Sequence, residues 1–327
     1  EVYLNGKLIH KFGVFGLTED AEEVRDPKLI PGLITFGDSL EYLLAVRYSN
    51  HKARHNLKVY REANAGFEMS LRDHTVAMRG LHTQVVATYL ILFLVMVFLV
   101  LGIVHFLLFL FYRKQKSNLY YSIFMLLFSG LIYVVFQSNN VSENPDLSNR
   151  AGFVMSLLFP LFFIPMSGFI YSLFMEKNPR IFYITIGIAV VMSTLYLMNV
   201  SFISPLYIAF VLLLWLEVTR VVIRAMIRKI DGAWIIGIGV LFFILFFTVV
   251  MVYVIRYGNL VMSGQSIFAM IFAFSVLLAI LSIPFSMSVY LARDFARTNV
   301  NLEKQLEQVK ILSAKTLEQE REKKRIL

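Results

Sequence analysis

Residues 105–124, HFLLFLFYRKQKSNLYYSIF, run from an apolar stretch holding a single histidine, through three cations in four positions, straight back into an apolar stretch. Lys and Arg are costly in hydrocarbon and favoured at its surface, so a basic knot this short between two oily segments reads as a turn at a membrane face.

The rest of the chain agrees. It has 327 residues, of which 58% are hydrophobic and only 16% charged, against an apolar usage of about 45–50% in soluble domains. A helix needs about 20 mostly apolar residues to cross roughly 30 Å of hydrocarbon. Seven runs approach or exceed that length: 85–112, 119–136, 152–175, 181–198, 205–227, 234–255 and 266–290. The first, third and fifth connections hold Arg113, Lys114 and Lys116, then Lys177 and Arg180, then Arg224, Arg228 and Lys229. The even-numbered ones hold only Arg150 and Arg256. Because cations are retained on the cytoplasmic side, the N-terminus is expected outside and the C-terminus inside. The same cations account for much of the +9 formal charge. Anionic lipid headgroups suffice as their partners, and no nucleic acid is expected.

The absence of cysteine excludes disulfides, thiolate metal sites and cysteine nucleophiles. The chain opens at Glu1 without a Met or a charged-then-apolar leader, so an upstream segment is expected.

Residues 1–80 read as an extracytoplasmic head made of strands. Asn5-Gly6 lies between two strand-like runs, a strong hairpin signal because both turn positions need positive φ. EYLLAVRYSN (41–50) places Leu44, Val46 and Tyr48 at period two, and shorter runs near 57–60 and 67–71 bring the expectation to some five strands and no helix. That is too few for an eight-stranded jelly roll. VYLNGKLIHKFG (2–13) and LLAVRYSN (43–50) resemble the galactose-binding-like β-sandwich, a resemblance that implies a partial jelly roll and a carbohydrate ligand. His51 and His55 flank Lys52 and Arg54 in a polar loop without a nearby carboxylate, and with His74 they read as surface histidines, so no metal site is expected.

Ionisable groups within apolar runs are the natural candidates for function. His105 lies about 12 Å of helix from the knot. It serves either as interhelical glue, through a bond worth about 0.6–2 kcal/mol, or as a proton relay. Glu217, Arg220 and Arg224 follow one another at helical spacing, which suits a structural ion pair or a gating element. Pro160, Pro165 and Pro284 should kink their helices. Those kinks are hinges or static packing features. A retinal pump would want a lysine in the seventh run, which has none. Paired broken helices of a transporter are not evident, and Ser167 with His105 makes a poor protease pair. No catalytic residue or cofactor site is expected.

GIVHFLLFLFYRKQKSNLYYSIF (102–124) is similar to the first hairpin of the bacterial seven-transmembrane receptors with diverse intracellular signalling modules. Gly102, His105, Arg113, Lys114, Leu119, Tyr120 and Tyr121 occupy that pattern, although FSGLIYVVF (128–136) lacks the arginine often found in helix two. The resemblance implies a receptor in the bacterial inner membrane, with an external sensor, a seven-helix relay over 85–290 and a cytoplasmic output domain.

Residues 291–327, LARDFARTNVNLEKQLEQVKILSAKTLEQEREKKRIL, contain no Gly or Pro and many good helix formers. A coiled-coil seam runs through Leu302, Leu306, Val309, Ser313, Leu317, Glu320, Lys324 and Leu327, with a stutter at Ser313 and Leu317. A parallel homodimer or a solvated single helix would each account for it. The stretch also resembles the linker of sensor histidine kinases in this receptor class, which implies such an output; a nucleotide cyclase or a phosphatase is the alternative. No histidine follows His105, so the phosphoacceptor of a kinase is not in this tail. The expected architecture is therefore mainly α: an N-terminal β-sandwich, a seven-helix membrane bundle and a signalling coiled coil. A membrane transporter is the reading from a different class.

Overall fold

The computed structural model describes residues 1–27, 32–38, 40–53, 58, 66–67, 69–175, 179–198, 203–257 and 267–326. Among the described residues the chain forms β1 (Val2–Leu4), β2 (Lys7–His10) and β3 (Leu44–Val46), followed by seven long helices. These are α1 (His74–Phe111), α2 (Lys116–Phe136), α3 (Pro145–Phe174), α4 (Arg180–Leu197), α5 (Ile203–Ile227), α6 (Ala233–Tyr257) and α7 (Ile267–Ile326).

The Asn5-Gly6 turn forms as expected. Both residues take positive φ, 51° and 79°, and β1 pairs antiparallel with β2 and β3 in the order β2-β1-β3. Among the described residues the head holds a small three-stranded sheet and a 3-10 turn at Glu19–Ala21. The strand expected near 67–71 is absent at the described positions there, and the one near 57–60 falls almost wholly outside the described residues, as does His55.

α1 begins at His74, eleven residues before the apolar run expected at 85. Asp73 caps it, its carboxylate accepting the Thr75 N–H at 2.8 Å. That hydrogen bond also holds the Asp73 carboxyl below the usual carboxylate range. Five helices contain a described stretch long and apolar enough to cross a membrane: α1, α2, α3, α4 and the part of α7 from Leu277. In α6 the described apolar stretch is the shorter Ala233–Phe246. The knot at 113–116 is a tight connection, since α1 ends at Phe111 and α2 begins at Lys116. Pro160, Pro165 and Pro284 lie inside helices that continue through them.

The chain divides into two compact units. The first comprises Glu1–Phe169 and Asn178–Leu214, the second Ile170–Lys177 and Trp215–Leu327, so α3 and α5 contribute residues to both. In the first unit an aromatic core joins α1, α2 and α3. Ring centroids lie 4.9 Å apart for Phe98 and Phe128, 5.0 Å for Phe124 and Phe162, and 5.4 Å for Tyr121 and Phe169. Gly102 lets α2 approach closely, because a Cβ there would sit 2.8 Å from the Leu126 side chain. In the second unit Trp215 stacks on Phe243 at 4.5 Å. A Cβ on Gly239 of α6 would collide with Ser286 and lie 2.8 Å from the Ser282 carbonyl oxygen of α7.

Candidate functional site

In the first unit, a cavity of about 1260 Å³ opens between the head and one end of the helices. Phe12, Phe15, Glu22 and Tyr48 contribute from the head, and Asn149 and Tyr196 from α3 and α4. The irregular chain that builds the head side is fixed by short-range bonds. Val14 and Glu23 form an isolated bridge. The Glu22 side chain is only 1% exposed, and its carboxylate accepts the backbone N–H of His51 at 3.1 and 3.2 Å. The His51 ring nitrogen lies 3.9 Å from the same carboxylate, which corrects the expectation that this histidine has no acidic neighbour. Arg47 stacks over Phe15 at 3.6 Å from the ring centroid.

The head is tied to the α2–α3 connection and the first turn of α3 at three points. Arg25 Nε donates to Glu143 at 2.6 Å, the Asp26 N–H donates to the Glu143 carbonyl at 2.8 Å, and Lys52 Nζ donates to Asp146 at 3.4 Å. That connection includes a π-helical turn, Gln137–Val141, a geometry frequent at functional sites. Its Ser138 borders the cavity. Two of the cavity's walls, the sheet side and the helix ends, thus belong to elements joined mainly by exposed polar contacts. Such contacts are individually weak.

At the opposite end of α1, His105 is 6% exposed and bonds to Asn118, Nδ1 to Oδ1, at 3.0 Å. Its ring meets Tyr121 edge-on at 4.6 Å. The Asn118 amide nitrogen donates in turn to Gln115 at 3.0 Å, inside the basic turn. Ser129 adds a second clasp by donating to the Val95 carbonyl at 2.8 Å, while the buried Ser122 hydroxyl has no partner among the described residues. His105 is therefore one member of a polar seam joining α1 to α2. Asn118 was visible in the sequence, but its partner depends on how two helices pack.

In the second unit, Glu217 accepts from Arg220 Nε at 2.7 Å and Nη2 at 2.8 Å. Tyr171 of α3 donates its hydroxyl to the same carboxylate at 3.0 Å, a partner that sequence spacing does not reveal. A second acidic anchor, also missed, lies in the α5–α6 turn. Asp231 accepts from Arg293 at 2.8 Å and pairs with Arg297, both on α7. Beside it Gly232 has φ +75°, and a Cβ there would lie 2.5 Å from the Tyr290 ring. The turn can press against α7 only because that position is glycine. Pro284 is buried six residues before Tyr290. Beyond it the seam positions Leu302, Leu306, Val309, Ser313 and Leu317 are all exposed.

These features define a multi-pass helical membrane protein with a cavity beside the sheet of its first unit and, in its second, a 60-residue helix whose C-terminal part is exposed. The chain belongs to the family described as 7TM diverse intracellular signalling, whose model matches residues 87–290. Membership implies a transmembrane receptor coupled to intracellular signalling. Comparison with curated proteins and with solved structures gave no match.

Proposed function

We propose that the cavity holds an extracytoplasmic ligand, a carbohydrate being the class that suits it. Aromatic faces with interspersed amides, hydroxyls and a carboxylate are the usual composition of such pockets. The sheet is then one face of a galactose-binding-like sandwich. The observation that carries this reading is that the cavity draws walls from both the head and the ends of α2, α3 and α4. An occupant that prefers one arrangement of those walls biases the packing of the bundle by its difference in affinity for the two arrangements.

The change passes through α3 and α5 to the second unit, and from the Asp231 clamp into α7. With the head outside and the tail in the cytoplasm of a bacterial cell, the α7 extension delivers it to an output domain, most simply a histidine kinase. The extension acts as a parallel homodimer. Leu306 and Val309 are 57% and 62% exposed in one copy, and a second copy of the same seam would cover them. The polar and stuttered positions keep the pairing marginal, which suits a switch.

The chain's lack of cysteine makes the test direct. In native membranes, Leu306→Cys should form a disulfide-linked dimer under mild oxidation, and Lys304→Cys, on the opposite side of the helix, should not. Adding the correct sugar from a glycan panel should change the cross-linking rate at Leu306→Cys. Filling the cavity with Ala151→Trp should remove that response and leave the basal dimer intact. Equal cross-linking at both positions excludes the dimer seam. Flux of a solute through liposomes, retained after residues 292–327 are deleted, would point to a transporter instead.

A further inference from the structure

A second concave surface lies in the second unit, between α5 and α6. It is a groove of about 200 Å³ lined by Ile223, Met226 and Ile227 of α5 and by Trp234, Gly237 and Leu241 of α6. The floor is closed by Val222 and Val240, which are 1% and 3% exposed. Gly237 creates the depression, since a Cβ there would run into the Met226 sulfur. The rim residues Ile223, Trp234 and Leu241 are 45%, 60% and 52% exposed. Nothing on this surface offers a charge, and both helices fall within the seven-transmembrane match. Hydrocarbon is therefore the natural filling.

The composition of one end of the groove specifies what carries that hydrocarbon. Trp234 opens α6 there, and an exposed tryptophan at a helix start marks the headgroup level. Arg224 and Arg228 each follow a groove residue directly in sequence, Ile223 and Ile227, and Lys229 comes next. The side chains of Arg224, Arg228 and Lys229 make no hydrogen bond or ion pair among the described residues, whereas those of the nearby Arg220, Arg293 and Arg297 are bound to Glu217 or Asp231. The negative end of the α5 dipole offsets only about half a charge. Asp231 is already engaged by two arginines. The turn thus presents a strong positive surplus at headgroup depth, next to an apolar slot that runs about 12 Å from Ile227 to Thr219.

We propose that this groove binds one anionic glycerophospholipid, with an acyl chain between α5 and α6 and its phosphate against Arg224, Arg228 and Lys229. The same turn holds α7 through Asp231, so a lipid seated here adjoins the point where the bundle grips its signalling helix. The site is independent of the external ligand and of the output domain, and it does not rest on the orientation of the chain.

The test uses the two tryptophans of the chain. Trp215→Phe keeps the stack on Phe243 and leaves Trp234 as the sole emitter. The full chain is then placed in bilayers containing brominated phosphatidylglycerol or brominated phosphatidylcholine at equal mole fraction. A cation near a membrane surface favours anionic lipid roughly fivefold, so quenching of Trp234 should show at least a fivefold higher relative association constant for phosphatidylglycerol. Converting Arg224, Arg228 and Lys229 together to Gln should abolish the preference. Filling the slot with Ile223→Phe, or from the other wall with Leu241→Phe, should weaken it while all three cations remain. Circular dichroism reports whether each variant keeps its helices. Equal quenching by the two lipids overturns the proposal, as does a preference that survives the triple substitution. A preference lost with the charges but untouched by both filling variants also overturns it, because diffuse attraction then needs no groove.

Discussion

Replacing His105 by Phe should destabilise the first unit through its hydrogen bond and hardly at all through its packing. Phenylalanine preserves an edge-on ring against Tyr121, now at 4.6 Å, but removes the N–H that Asn118 Oδ1 accepts at 3.0 Å. Asn118 is 3% exposed, so its oxygen is left without a partner, at a cost of about 1–3 kcal/mol. Asn118→Leu orphans the His105 N–H in the same way. Combining the two puts apolar groups on both sides and leaves no orphan at this pair, so the double variant should cost less than the sum of the singles. Measured couplings of this kind between membrane helices average about 0.6 and reach about 1.7 kcal/mol. Burial of both partners places this pair toward the upper end, a factor of roughly ten or more in the unfolding equilibrium. Reversible unfolding in mixed micelles, followed by circular dichroism for the four proteins of the cycle, measures it. Additivity to within about 0.3–0.5 kcal/mol, the scatter of independent sites, would refute the reasoning and leave His105 as a mere space-filler.

Other outcomes follow from single contacts. Gly239→Ala should cost about 1–3 kcal/mol, because the new methyl meets the Ser282 carbonyl oxygen of α7 and backbone cannot rotate away. Gly130→Ala, which meets nothing within 4 Å, should be neutral or stabilising by up to about 1 kcal/mol; the same micelle assay compares them. Asp231→Asn should change stability little, since its arginine partners are half exposed. A spin label at position 302 should nonetheless become more mobile relative to the bundle, and unchanged spectra would show that Asp231 does not hold α7. The start of α1 should loosen in acid. The Asp73 carboxyl has a lowered folded-state pKa, so its support is complete above the unfolded value near 3.9 and disappears as pH falls through the folded one. Amide exchange at Thr75 and Val76 should accelerate across that window in the parent and show no such step in Asp73→Asn.

The helical architecture was legible because each span is written in consecutive residues: apolar runs long enough to cross hydrocarbon, broken by cations that cannot. The Asn5-Gly6 hairpin was legible for the same reason, as two adjacent residues that tolerate positive φ. What escaped was whatever depends on pairing across the fold. Glu217 and Arg220 sit three apart and announce each other, but Tyr171 comes from another helix 46 residues away. Asp231 in a short turn gave no hint of Arg293 and Arg297. Glu22 reads as an ordinary surface acid and is instead nearly enclosed, because the turn at Gly16 and the chain near His51 close over it. The extent of the head's sheet was not legible, since alternation at Leu44, Val46 and Tyr48 marks a half-buried strand without saying how many neighbours it has. Only Leu44–Val46 pairs. The start of α1 was placed too late because its first turns are polar, and polarity hides a helix from a search for hydrocarbon.

α7 is one uninterrupted helix of 60 residues, about 90 Å of rod, with Pro284 buried in its first third and the Asp231 contacts at Arg293 and Arg297 further along. From Arg297, the last residue held by Asp231, about 44 Å of helix remain. At that length the rod is a lever arm: a tilt of about 5° at the fulcrum sweeps the tip through about 4 Å, most of one helical turn. A displacement too small to break any contact at the clamp becomes, at the far end, comparable to the rise of a helical turn.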